Sequence, residues 1–442
     1  MKDQAISVVR QLQKAGYETY FAGGSVRDQL LGLESKDIDI ATSATPEQVQ
    51  KLFSRVTDLQ GACFGVVRVL VDEYAFEVAT FRRDGPYQDG RRPEYVEYTS
   101  AEEDARRRDF TINGLFYDPI ADKLIDFVGG QADLEARLIR AIGDPVARFT
   151  EDKLRLLRAV RFAANLPRKD RKPFIIETNT WAAMCQLAPE IACVAVERVR
   201  DELDKIWAGA RPEHGLDLLD QSGLLKVVLP DVDHLHGVEQ PPQFHPEGDV
   251  FQHVRMMLSK LHHSPLVLGL AVLFHDIGKP ATYQMDETGR IRFNGHESVG
   301  ARMTERIMAD MRYSNETIRQ VVALVENHMT FKDVMRMKMS TLKRLMGRDT
   351  FELELELHRI DCQCSHGDVE NYFFLKHQRE NMPVDEIKPT PLISGHDVLA
   401  LGVPPGKAIG AILHKVYEAQ LEGSIHTHND GIALARKLAN DF

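Results

Sequence analysis

Two carboxylates one residue apart, Asp37 and Asp39, are the first groups in this sequence with the chemistry of a reaction centre. From Asp37 to Ala41 charge alternates with isoleucine, the pattern of a half-buried strand. Strand side chains alternate between faces, so both acids share one face while Ile38 and Ile40 point to a core. Carboxylate oxygens suit hard cations such as Mg2+. A pair of such ions can activate a hydroxyl and stabilise a leaving pyrophosphate. A solvated strand face accounts for an isolated Asp-x-Asp equally well. Glu77, alternating with Ala75 and Ala79, is either a third carboxylate beside the metals or a surface residue. Upstream, Gly23, Gly24 and Ser25 lie between a strand and a helix, with Arg27 and Asp28 in the helix's first turn. Such glycines let backbone N–H groups approach a phosphate. The alternative is a plain strand–helix turn.

Histidine chemistry is confined elsewhere, because all 17 histidines lie at His214 or later. His253, His275, Asp276, His296, His328 and Asp361 fall on expected helices or their ends. Imidazole and carboxylate donors suit zinc-like transition metals, and an open position leaves room for an activated water. The alternative is that each histidine is merely packed. Between the two groups, Thr150 is expected to cap a helix over Glu151–Asn165. On that helix Asp152 and Arg155 share a face. Together they offer an acceptor and donors, as a base edge does. The competing reading is an exposed ion pair of little worth. Arg158 and Arg161 continue the stripe. From Lys153 to Lys172 eight Lys/Arg face one acid, Asp170, a phosphate-binding track of charge +7.

The elements that must position these groups change along the chain. Ala5, Val8, Val9 and Leu12 have helical spacing, stopped by Gly16. Tyr17–Phe21 reads as a strand and Val26–Leu31 as a helix. Thr45 and Pro46 open another helix. Val66–Val71 and Tyr74–Phe81 read as paired strands, with Tyr95–Tyr98 and Leu124–Phe127 completing the sheet. Residues 82–92 read as a mobile polar loop. Beyond about residue 140 the pattern turns helical, with 230–248 and Pro383–Pro391 as linkers. The fold class is α+β: a small mixed-sheet head at 1–140, a helical neck and body at 141–245, a helical domain at 246–385 and a helical tail at 386–442.

Composition agrees with an ordinary globular chain: 442 residues, 43% hydrophobic and 27% charged. The net charge of −11 argues against a general basic coat for nucleic acid but leaves room for a local track. Five cysteines make no disulfide framework, which points to the cytoplasm. The stretch Pro265–Phe274 is too short to span a bilayer, and Met1–Arg10 lacks the apolar core of a secretory signal.

Five blocks in order, FAGGSVRDQLLG, DIDIATSATPE, RRDFTINGL, DFVGGQADL and EDKLRLLRAVRFA, resemble the class II tRNA nucleotidyltransferases, the CCA-adding enzymes, within the polymerase β-like superfamily. The resemblance covers roughly residues 15–205. It implies Mg2+ on catalytic Asp37 and Asp39, and triphosphate on Gly23, Gly24, Ser25 and Arg27. It further implies ribose contacts from Arg108 and Asp109, phosphate help from Asn113, and selection of CTP and ATP by Asp152 and Arg155. Arg158 and Arg161 would meet triphosphate or tRNA phosphates. Asp126, Gly129, Gly130 and Asp133 resemble a spring-like element, with an ordinary capped turn as the alternative. Glu197, Arg198 and Glu202 resemble a helix that supports the pocket.

The blocks LFHDIGKP, GHESVGA and ENHM resemble the HD metal-dependent phosphohydrolases over about 245–365. That implies a divalent transition metal on His253, His275, Asp276, His296, His328 and Asp361, with Lys279 on a substrate phosphate or capping a helix. The expected activity is template-independent addition of the 3′ CCA of tRNA, with pyrophosphate released. Addition of A alone, with a separate enzyme adding CC, is one rival. An HD-type phosphohydrolase or 2′,3′-cyclic phosphodiesterase, a poly(A) polymerase and a non-catalytic tRNA-binding module are others. The segment GACFGVVRV at 61–69 favours the CCA-adding pattern over poly(A) polymerase, and the 82–92 loop is what the family associates with adding A. The tail at 395–423, with Lys407 and Lys415, is expected to touch tRNA or simply to dock.

Overall fold

Ala5, Val8, Val9 and Leu12 form one wholly buried face of the first helix, α1 (Lys2–Lys14), which packs on the head's core. The structure is a computed structural model that describes residues 1–33, 37–57, 65–85, 95–166, 172–241 and 248–440. The head holds β1 (Thr19–Ala22), α2 (Gly24–Leu30), β2 (Asp39–Thr42), α3 (Pro46–Leu52), β3 (Val56–Thr57), β4 (Val66–Val71) and β5 (Tyr74–Thr80). β6 (Arg82–Asp84), β7 (Val96–Tyr98), α4 (Ala101–Arg106), β8 (Leu115–Asp118) and β9 (Lys123–Asp126) follow. Seven of these strands make one mixed sheet in the order β3-β4-β5-β2-β1-β8-β9. Only β2 and β5 run parallel; the other neighbours are antiparallel.

Local chemistry explains these elements. β4 and β5 are joined through Asp72, whose φ of 54° makes the reversal. Thr45 and Gln48 close a capping box on α3, with Pro46 at the first turn. Two expectations fail here. Val96–Tyr98 does not extend the main sheet but pairs with β6 in a separate two-stranded ribbon, so Arg82–Asp84 is strand rather than loop. Residues 86–92 of that loop, and 61–64 of the GACFGVVRV block, lie outside the described residues. The strand β8 has no clear alternation, since Leu115 and Phe116 are both buried, and periodicity does not reveal it.

The neck continues with α5 (Gly130–Ala136), β10 (Leu138–Ile139), α6 (Pro145–Glu151), α7 (Arg155–Asn165), β11 (Ile175–Ile176), α8 (Thr178–Leu187), α9 (Val196–Trp207), α10 (Pro212–Gln221), α11 (Leu224–Val228) and α12 (Pro230–Asp233). Head and neck together form one compact unit, residues 1–233 with 261–266.

The second unit takes residues 234–260 and 267–442. Its helices around the histidines are α13 (Val250–Leu258), α14 (Leu266–Phe274), α15 (Lys279–Thr282), α16 (His296–Asp310) and α17 (Asn315–Asn327). They are followed by α18 (Met339–Met346), α19 (Phe351–Cys364), α20 (Glu370–Asn381) and α21 (Val384–Ile387). A small hairpin, β12 (Gln284–Met285) with β13 (Ile291–Arg292), interrupts the expected run of helices. Asp286 accepts from the Thr288 and Arg290 amides and so folds its turn. The last three helices, α22 (Gly395–Ala400), α23 (Lys407–Leu421) and α24 (His428–Ala439), close over Ile393, Val398, Ile412 and Val416. Among the described residues no helix is long and apolar enough to cross a membrane; Leu268–Phe274 of α14 are buried in the protein core instead.

Candidate functional site

The strand β2 presents its acids as the alternation requires. Asp37 and Asp39 are exposed, while Ile38 and Ile40 are buried. The strand begins at Asp39, so Asp37 stands on the segment leading into it. Ile40 pairs with Val78 of β5, which sets Asp39 alongside Glu77 on the neighbouring strand. The Asp39 carboxyl is raised from its ordinary value, first by desolvation, then by Glu77, with Arg108 opposing and Asp37 adding. Glu77 also takes an ion pair from Arg68 at 3.1 Å. Three acids brought together on one sheet face are the oxygen donor set a hard divalent cation takes, so these residues fit Mg2+.

Opposite, Gly23 turns the chain from β1 into α2 with φ 67°. A Cβ there would come within 2.8 Å of Arg108 Nη1, so only glycine leaves that approach open. The Ser25 hydroxyl is turned away and donates to Ala22 O at 3.1 Å. Arg27 Nη1 donates to Asn113 Oδ1 (2.7 Å), and Asn113 Nδ2 donates to Asp109 (2.9 Å). Arg158 completes the relay on the other Asp109 oxygen at 2.5 Å. Burial works against the Asp109 charge, yet Arg158 and Asn113 hold its pKa down to about 2. The buried Asp104 grips Arg107 at 2.8 Å and Arg108 at 3.0 Å, one on each oxygen. The Phe162 ring packs against three guanidiniums, those of Arg27, Arg158 and Arg161.

The block at 126–133 supports this turn from behind. Asp126 accepts from the Val128, Gly130 and Gln131 amides and so caps α5. A Cβ on Gly130 would lie 2.1 Å from Thr111 O, and Asp133 accepts from Thr111 Oγ1 at 2.7 Å.

The expected helix over Glu151–Asn165 is corrected by the structure. It is two helices, α6 and α7, and Asp152 between them is extended (φ −146°, ψ 104°). Asp144 and Pro145 start α6, so Thr150 lies inside it and caps nothing. The Asp152 side chain accepts from Leu154 N at 3.1 Å, a local turn that competes with the helix. Asp152 and Arg155 therefore do not form an i,i+3 pair. Asp152 takes Arg198 at 2.8 Å; Arg155 takes Glu151 at 2.6 Å and Arg148 O at 2.7 Å.

Both nevertheless line the same cleft of about 570 Å³, with Gly23, Gly24, Arg27, Asp39, Arg108, Asp109, Asn113, Arg158 and Arg161. Asp37 and Ser25 are not among its lining residues. Eight arginines against three aspartates make it strongly cationic. Arg82, Arg107, Phe162 and Arg198 complete the lining; of these, sequence reasoning assigned a pocket role only to Arg198, on a supporting helix. The +7 track is only partly a free surface: Lys153 pairs with Glu190, Arg161 with Glu202, and 167–171 lie outside the described residues.

In the second unit the six expected ligands converge. His253 Nε2 is 3.1 Å from Asp361 Oδ1, and His275 Nε2 is 3.0 Å from Asp276 Oδ2. His296 Nε2 lies 3.4 Å from Asp276 Oδ1 and 3.2 Å from His328 Nε2. The Nδ1 atoms of His275, His296 and His328 face the carbonyls of Val272, Phe293 and Val325. Those contacts select the Nδ1–H tautomer and leave Nε2 lone pairs turned on one another. With both Nε2 atoms 3.2 Å apart beside the Asp276 carboxylate, the donor set fits a metal. Burial, then the neighbouring His275, depresses the His328 imidazole to about 3, which keeps it neutral and ligand-competent. Lys279 is neither a helix C-cap nor open to a phosphate. It is buried at the start of α15, 2.6 Å from both Asp276 and Gln240.

Comparison with known proteins follows the same division. The Poly A polymerase head domain matches residues 19–140, the Probable RNA and SrmB-binding site of polymerase A matches 173–235, and tRNA nucleotidyltransferase domain 2 matches 298–435. A CCA-adding enzyme of Geobacillus thermodenitrificans is 46% identical over 222 residues, 50% of this chain and 53% of that protein. One from Levilactobacillus brevis is 44% identical over 239 residues, 54% of this chain and 58% of that protein. The chain thus matches only about half the length of these relatives. The crystal structure of a Bacillus stearothermophilus CCA-adding enzyme in complex with CTP aligns over 99% of this chain and 98% of that one, with TM-score 0.74 and 25% identity. A Thermotoga maritima CCA-adding enzyme complexed with tRNA shares the fold at TM-score 0.58 and 20% identity, over 97% and 93% of the two chains.

Proposed function

We propose that the chain is a tRNA nucleotidyltransferase of the CCA-adding type, which adds the 3′ CCA of tRNA from CTP and ATP without a nucleic-acid template. The observation that carries this reading is the meeting, in one arginine-lined cleft, of Asp39, the Arg108–Asp109 pair and the Asp152–Arg155 pair. Asp37 and Asp39, with Glu77 as a third acid, would hold Mg2+, which would supply activation of the tRNA 3′-hydroxyl and charge neutralisation at the α-phosphate and leaving pyrophosphate. The Gly23–Ser25 backbone and Arg27 bind the triphosphate. Asn113 keeps Arg27 and Asp109 apart and in register. Asp109, held ionised, accepts from a ribose hydroxyl, and Arg108 donates beside it; a deoxynucleotide loses that bond. Asp152 accepts from the amino group of cytosine or adenine, and Arg155 donates to the adjoining ring acceptors. Arg158 and Arg161 draw triphosphate and tRNA backbone into the cleft.

The deciding experiment incubates tRNAs ending before CCA, after C and after CC with CTP, ATP or both. Stepwise extension to full CCA is the expected result. Extension only of the CC-ended tRNA, and only with ATP, makes this an A-adding enzyme. A long homopolymer of A makes it a poly(A) polymerase, and unchanged RNA makes it a binding module. The four segments 1–140, 141–245, 246–385 and 386–442 are the division we assign to catalysis, base selection, metal chemistry and tRNA contact, in a cytoplasmic protein.

One observation favours a second activity in the other unit: the three Nε2 atoms that converge on Asp276. With His253 and Asp361 they would hold a divalent transition metal, whose chemistry is the activation of water for phosphoester hydrolysis. Hydrolysis of p-nitrophenyl phosphate and of 2′,3′-cyclic nucleotides with Mn2+, Co2+ or Ni2+ tests it.

A further inference from the structure

We infer that Arg198 determines nucleotide specificity by positioning Asp152, holding the carboxylate so that one oxygen faces the amino group of the incoming base. This inference rests on the base-reading role proposed above for Asp152. Asp152 sits at the break between α6 and α7 with an extended backbone, so helix geometry does not fix its side chain. Two groups do. Leu154 N donates to Oδ1 at 3.1 Å. Arg198 then grips both oxygens, Nη1 to Oδ1 at 3.2 Å and Nη2 to Oδ2 at 2.8 Å. A guanidinium fork of this kind fixes the carboxylate plane, where a single donor leaves it free to turn. Arg198 itself comes from the middle of the neck, on α9, whose Val199, Leu203 and Ile206 are buried in the core. Its anchor is therefore independent of the junction it controls.

The acceptor count gives the consequence. A carboxylate offers about four lone-pair sites. Oδ1 uses two, for Leu154 and Arg198; Oδ2 uses one, for Arg198. Oδ2 is left with acceptor capacity in a cleft that both residues line. Cytosine and adenine present an amino donor where uracil and guanine present a carbonyl. A fixed acceptor accepts the first pair and repels the second. A carboxylate released from Arg198 turns, and the difference shrinks. The arginine also absorbs the Asp152 charge when no nucleotide is present, so the acid needs no large movement to begin reading.

The test measures kcat/KM for CTP against UTP on tRNA lacking CCA, and for ATP against GTP on tRNA ending in CC. Arg198→Gln is expected to cut both ratios about 10- to 100-fold while CTP addition remains measurable. Arg198→Lys keeps the charge but not the fork, and is expected to restore only part of the ratio. Thermal unfolding checks that each variant folds, and Arg198→Lys carries the test if Arg198→Gln does not. Unchanged ratios, or an equal fall for all four nucleotides, would overturn the inference. Asp152→Ala in parallel separates the two claims. If it keeps full discrimination, base reading by Asp152 fails as well; if it loses discrimination while Arg198→Gln keeps it, only the role of Arg198 fails.

Discussion

The arginine-lined cleft of the first unit and the histidine cluster of the second both crowd like groups together, but they hold them by different means. In the cleft most cations are held by carboxylates: Arg107 and Arg108 share Asp104, Arg155 pairs with Glu151, Arg158 with Asp109, Arg161 with Glu202 and Arg198 with Asp152. The pairs are mostly buried at the cleft wall, and guanidinium stays charged at any working pH. In the cluster three imidazoles are tied by Nδ1 to carbonyls three residues back, and their Nε2 atoms face inward. The first arrangement complements an anion. The second is a set of buried lone pairs that complements a cation. The same chain thus carries one site shaped for phosphates and one shaped for a metal, and each should fail alone.

The largest effect that would break this comparison comes from Asp39→Ala. Nucleotide incorporation is expected to fall by about 10³-fold or more, because the acid touches the reacting phosphate only through the metals. The phosphoester hydrolysis proposed for the second unit is expected to persist in the same preparation. If both activities fall together, the sites are not independent. The converse variant, His275→Ala, is expected to lose the second unit's metal while incorporation on a gel stays at the wild-type level. Metal content measured by mass spectrometry after dialysis reads the loss. It should exceed the roughly 10- to 100-fold weakening typical of losing only a supporting partner.

The two regions also differed in how far they could be read beforehand. The acids of β2 were legible because period-two alternation leaves Ile38 and Ile40 inward and the aspartates outward whatever surrounds them. The six residues expected as metal ligands were legible as types, since burial and convergence only had to bring together groups already singled out. The helix break at Asp152 was not legible. Residues 151–165 have continuous apolar periodicity, and the competing signal, an aspartate bonding to Leu154 N, is a local choice that periodicity does not record. Arg198 was expected only on a helix that supports the pocket, and its grip on Asp152 was not legible for a related reason. Its partner lies 46 residues away, and only the packing of α9 near the break reveals it. Nor does any pattern in 82–84 announce a strand, because β6 is charged and pairs outside the main sheet.

A smaller and pH-dependent effect sharpens the account of the cleft. Asp109 is buried, and its pKa of about 2 lies below the ordinary 3.8. A depressed folded pKa means that the acid stabilises the fold above about pH 4 and loses that contribution as pH falls toward 2. Asp109→Asn is expected to cost on the order of 2 kcal/mol at neutral pH, from a shift of roughly two pK units. Urea unfolding of wild type and variant at pH 7, 4 and 3 checks it. The gap between the curves should narrow on acidification; a gap that stays constant would mean that the Asn113 and Arg158 contacts matter for shape rather than charge.

The smallest effect tests whether the helix break belongs to the cleft or to the helices that flank it. The Asp144 side chain accepts from Ala147 N at 2.7 Å and, with Pro145, sets where α6 begins. Seven residues later that start dictates that Asp152 falls beyond the helix's last turn. Asp144→Ala removes one cap and is expected to cost about 1 kcal/mol, read as a shift in the urea midpoint at constant slope. Because Arg198 and Leu154 hold Asp152 directly, the CTP-to-UTP ratio should not move. A fall in that ratio would place control of the acceptor in the register of α6, and the arginine would then be following the break rather than fixing it.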